Sequence, residues 1–165
     1  TAMNSLDGLN PYARRFAERL FAVYPDWRAF AMPDPDGDPP PASLLVTVAA
    51  PVGDRALSLR TYGEQVTVEF GPHGWHEHVG TWSGPTEDAA FDAALALVAD
   101  LLAERIAVVA GVRGDRPVWF RLLREGAEPP RPWGIPGLSA QRVEVYSWRG
   151  SRDATLYPAW RSRKI

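Results

Sequence analysis

From Ala56 to Phe70 the chain alternates apolar and polar residues on both sides of a Gly63-Glu64 pair. A period of two marks half-buried strands, and a two-residue connection with glycine first suits a type II′ hairpin turn. Setting Tyr62 opposite Gln65 places Leu59 against Val68 and Leu57 against Phe70. With Val66 these form one apolar face, while Ser58, Arg60, Thr67 and Glu69 point the other way. A one-residue slip would exchange the two faces. Beyond Phe70, Gly71-Pro72-His73-Gly74 predicts a second turn and "WHEHV" a third antiparallel strand. Pairing Trp75 with Phe70 sets His76 and His78 beside Glu69 and Thr67 on the polar face. Trp75 and Val79 then join the apolar face, with Glu77 between them.

A helical period appears twice. Over residues 11 to 27, Phe16, Leu20 and Val23 share one face; Asn10 is placed to cap the helix, Pro11 takes its first position and Pro25 ends it. Over residues 86 to 104, Thr86 is the expected cap, with Glu87 and Asp88 where the helix dipole favours anions. Phe91, Leu95, Val98 and Leu102 form the expected core stripe, and Asp92, Asp100 and Glu104 face water. "SLLVTVAAP", "IAVVAGV", "PVWFRLL" and "RVEVYSW" read as further strands. The proline-rich stretches "MPDPDGDPPPA" and "EGAEPPRPWGIPG" read as loops, and Arg113-Gly114-Asp115 as a turn. The basic tail after residue 148 is expected to be loosely ordered.

These elements predict an α+β fold: an antiparallel sheet of about six or seven strands, with the 86–104 helix on its apolar face and an N-terminal helix at 11–27. One globular domain over residues 3 to 165 is expected, with Thr1-Ala2 read as a cloning remnant. The length allows a substantial core, and 45% hydrophobic with 23% charged residues is a globular composition. No apolar run approaches the ~20 residues of a membrane span, and no signal peptide is evident. The absence of cysteine removes disulfides and thiolate metal sites and fits a cytoplasmic protein. A net charge of −2 argues against binding nucleic acid by bulk charge. Lys164 is the only lysine; the arginine, alanine, glycine and proline bias suggests GC-rich coding and a bacterial source.

All three histidines lie between residues 73 and 78. His73, His76 and His78 with Glu69 or Glu77 offer zinc-type donors, and outward residues two apart on a strand lie ~7 Å from each other. The spacings of helical and knuckle zinc sites are missing, so solvated or structurally bonded imidazoles are the expected outcome. No cofactor is expected either. A His76–Glu69 pair suits general acid–base work, but a polar cross-strand pair is the expected reading. No nucleophile elbow, phosphate-cradling glycine loop or basic-aromatic sheet pattern is present. Seven tryptophans in one domain leave some as candidates for surface binding anchors.

The hairpin with "EQVTVEFG", the strand "WHEHVG" and the helix "EDAAFDAALALVADLLAERIAVV" follow in an order that resembles a group of small bacterial proteins. These are the immunity proteins encoded beside secreted polymorphic toxins. The likeness covers residues 56 to 124, and its motif is Trp75, His76 and His78. It implies a non-enzymatic, cytoplasmic protein that binds a cognate toxin domain and blocks it, as a monomer or in a 1:1 complex, without nucleic-acid or membrane partners. Asp34, Asp36 and Asp38, with Glu69, His76, Glu77 and His78, are the candidate partner-binding residues, since carboxylates complement the basic clefts of toxins that act on nucleic acids. The alternatives are a metal-dependent or acid–base enzyme on the His76/His78 strand, or a regulatory or chaperone domain without a toxin.

Overall fold

The computed structural model describes residues 6, 8–36, 42–80, 86–130 and 140–158. The fold is α+β, and the described residues form nine strands in two antiparallel sheets of five and four. A single sheet of six or seven strands was expected; the strands after the second long helix instead pair among themselves. The chain divides into two compact units. The first comprises Thr1–Ala50, Asp54–Phe70 and His76–Ala99, and the second Pro51–Gly53, Gly71–Trp75 and Asp100–Ile165.

The first unit holds helix α1 (Pro11–Val23), followed by a 3-10 segment, Pro25–Phe30. The expected Asn10 cap is present, its Oδ1 accepting from the Ala13 N–H at 2.8 Å. Pro25 ends the α-helix as expected, so that α1 stops at Val23 and not at residue 27; Val23, expected on the buried face, is exposed. The sheet of this unit runs in the order β1 (Ala31–Pro33), β2 (Leu44–Ala49), β3 (Ala56–Tyr62), β4 (Gln65–Phe70), β5 (Trp75–Gly80). The hairpin register is the expected one: Leu57 faces Phe70, Leu59 faces Val68 and Tyr62 faces Gln65. Gly63 has φ 55° while Glu64 stays out of the positive region, as a type II′ turn requires.

Leu57, Leu59, Val66, Val68 and Phe70 are fully buried, with Leu44 and Val46 from β2 and Phe16 and Leu20 from α1. Each such side chain contributes roughly 1.5–3 kcal/mol. Thr61 shares this face; its hydroxyl accepts the Leu44 N–H at 2.8 Å, so the buried polar group is satisfied. Helix α2 (Glu87–Leu102) begins where expected, with Thr86 Oγ1 accepting from Ala89 N–H. Phe91 packs on Tyr12 and Phe16 of α1 at centroid distances of 5.0 and 5.4 Å. The buried stripe of α2 is Ala90, Phe91, Ala94, Val98 and Leu101, not the expected Phe91, Leu95, Val98 and Leu102. Leu95 and Leu102 are half-buried, because two alanines occupy the innermost positions. Arg15 bonds Glu87, and Arg19 bonds Asp88 and Asp92, tying the two helices along their polar edges.

The second unit carries β6 (Ile106–Arg113), β7 (Arg116–Arg124), β8 (Arg142–Tyr146) and β9 (Ala154–Leu156), in the order β7-β6-β8-β9. The Arg113-Gly114-Asp115 triplet lies at the β6–β7 turn, with Gly114 at φ 59°. Strand β9, in the basic tail, is an ordered edge that was not expected. Trp119 lies flat over Gly111: a β-carbon there would fall 2.1 Å from the indole. Ala107, Val109, Leu123, Ala140, Val143 and Val145 complete the core around it.

Candidate functional site

The polar face of β3, β4 and β5 forms an open groove of about 340 Å³. Arg60 and Tyr62 come from β3, Gln65, Thr67 and Glu69 from β4, and His76 and His78 from β5. Asp34 and Asp36, in the turn that follows β1, complete it. The alternation that buries Leu57, Leu59, Val66 and Val68 is what exposes these residues. Five of the residues expected to meet a partner therefore line one surface: Asp34, Asp36, Glu69, His76 and His78. Glu77 is exposed but does not line the groove. Asp38 lies outside the described residues.

Within the groove, Arg60 is the organiser. Its Nη1 contacts Asp34 Oδ1 at 3.2 Å and Asp36 Oδ2 at 3.2 Å. The Asp34 carboxylate is only 7% exposed, whereas that of Asp36 is 77% exposed. Asp34 also accepts the Asp36 N–H, which shapes the turn. A buried carboxylate is thus matched by a guanidinium, and a second carboxylate is left at the surface. Across the sheet, His78 Nδ1 and Thr67 Oγ1 lie 2.9 Å apart, the cross-strand neighbours expected from the register. The His76 and His78 rings meet edge to face at 4.9 Å. The Glu69 side chain makes no hydrogen bond or ion pair among the described residues. Tyr62 is 56% exposed.

His73 belongs to a different neighbourhood, in the second unit. Its Nε2 is 2.7 Å from Glu144 Oε2 on β8. Arg142 Nε and the Tyr146 hydroxyl donate to the same carboxylate. Burial pushes the Glu144 carboxyl up, but the Tyr146, Arg142 and His73 donors outweigh it and hold it at about 2. An ionised carboxylate only accepts, so His73 carries a hydrogen on Nε2. Among the described residues, no three His, Asp or Glu side chains gather as a metal site would require.

Glu144 was missed in the sequence. Its signal is the spacing Arg142, Glu144, Tyr146, three polar side chains on one face of a strand. Of the tryptophans considered as surface anchors, Trp75 and Trp119 are buried, Trp27 and Trp148 are half-buried, and Trp82, Trp133 and Trp160 lie outside the described residues; Tyr62 is the exposed phenol that lines the groove. Compared with protein-family models, characterised proteins and solved structures, the chain matches none.

Proposed function

We propose that this protein is an immunity-type inhibitor that binds a cognate secreted bacterial toxin domain through the polar face of its five-stranded sheet. The observation that carries this reading is the groove. It gathers carboxylates, imidazoles and an exposed tyrosine on a rigid strand scaffold, the mixture that forms polar protein interfaces. The sequence motif of Trp75, His76 and His78 supports it from the other side. Trp75 is buried and anchors β5, while His76 and His78 are exposed in the groove. Acid–base chemistry on the same strand is less well supported: His78 is bonded to a threonine hydroxyl, and the carboxylate-held imidazole is His73.

The test is co-expression with the toxin domain encoded beside this chain. Cells expressing both are expected to survive, and the two proteins to co-purify at 1:1. Continued killing with no complex would overturn the proposal.

A further inference from the structure

The groove has two ends of similar chemistry. Tyr62 pairs with Gln65 at one end, and Glu69 stands two pleats further along β4. Residues four apart on a strand are separated by about 14 Å. Asp36 lines the same groove, with its carboxylate exposed and held by Arg60; at the far end, the Glu69 side chain has no hydrogen bond or ion pair among the described residues. Arg60 sits between them, opposite Thr67, and is engaged by Asp34 and Asp36. Three carboxylates against one guanidinium leave the groove with an excess of negative side chains.

We infer that this groove receives an extended basic segment of the partner protein, with an arginine side chain against Tyr62 and Asp36 and a second cationic side chain at Glu69. This rests on the toxin-binding reading and names the chemistry of the toxin surface. An exposed phenol ring in a groove that also carries carboxylates favours arginine over lysine. A guanidinium stacks its plane on the ring while its edge N–H groups bond the carboxylate, and an ammonium cannot do both. The 14 Å separation matches positions i and i+4 of an extended chain lying along the strands. A phosphate backbone is rejected by the same two acidic ends. A small polyamine would place an inner ammonium against Arg60.

The experiment uses the full chain and a blocked heptapeptide, Ac-GRSTSRG-NH2, followed through the ring resonances of Tyr62, His76 and His78. Lysine and glutamate counterparts and spermidine serve as the comparison probes. The arginine peptide is expected to shift all three residues. The lysine peptide should bind about fivefold more weakly, the loss of a cation–π contact. The glutamate peptide should not bind. Asp36→Asn with Glu69→Gln should weaken the arginine peptide about tenfold, and Tyr62→Ala should remove its advantage over lysine. No shift, shifts mapping elsewhere, or spermidine binding as tightly as the peptide would overturn the inference. The two proposals fail separately. Peptide binding without toxin binding removes the function alone. Toxin binding unchanged in the double variant removes the groove assignment alone.

Discussion

Two histidine–carboxylate neighbourhoods sit on this molecule, and they differ in what their carboxylates already hold. Glu144 accepts from His73, Arg142 and Tyr146, is mostly buried, and stays ionised to about pH 2. Glu69 lies in an open groove near His76 and His78 and has no partner among the described residues. Saturated polar clusters serve the fold, because each donor and acceptor is used up internally. A carboxylate without such partners, as at Glu69, keeps its acceptor capacity. The difference separates a pin from a docking surface even though the residue types are the same.

The comparison breaks most easily at its saturated side. Glu144→Ala leaves Arg142, His73 and Tyr146 without their shared acceptor and should cost about 3 kcal/mol. Urea unfolding followed by tryptophan fluorescence measures it. A loss under 1 kcal/mol would show that the cluster is not a pin.

Acid provides the next largest effect. The folded Glu144 carboxyl titrates at about 2, below its ordinary 4.5. Its ionised form therefore contributes stability that is full above about pH 5 and fades as pH falls through 4.5 toward 2. The contribution is on the order of 2 kcal/mol. Glu144→Gln should flatten this acid limb of the stability profile.

Within the groove, Arg60→Ala removes the guanidinium that matches the buried Asp34 carboxylate. A destabilisation of about 1–2 kcal/mol is expected, partly restored by adding Asp34→Asn. Failure of the second change to restore any stability would detach Arg60 from Asp34. The smallest effect belongs to Glu69→Gln, which should alter stability by less than about 0.5 kcal/mol. A larger loss would mean that Glu69 serves the fold as Glu144 does.

Local features were legible because they rest on short-range periodicity. The hairpin register followed from strict alternation on both arms, and the caps at Asn10 and Thr86 from the chemistry of their side chains. The buried face of α2 was misjudged because leucine was weighted above alanine, whereas close helix packing against Phe16 and Tyr12 favours Ala90 and Ala94 inside. Partition into two sheets depends on which distant strands pair, and no periodicity within a strand encodes that. The groove was half legible: Glu69, His76 and His78 followed from alternation, but the Asp34–Arg60 contact joins a loop to a strand 26 residues away. The His73–Glu144 contact spans 71 residues and left only the alternating Arg142, Glu144 and Tyr146 as a trace.

Titration calorimetry against the product of the neighbouring gene, the proposed toxin, tests the central claim most directly. The wild-type protein should bind with a nanomolar Kd, and Asp36→Asn with Glu69→Gln should weaken it about 100-fold at unchanged fold stability. Equal affinity in the two proteins, or no binding by the wild type, would contradict the account.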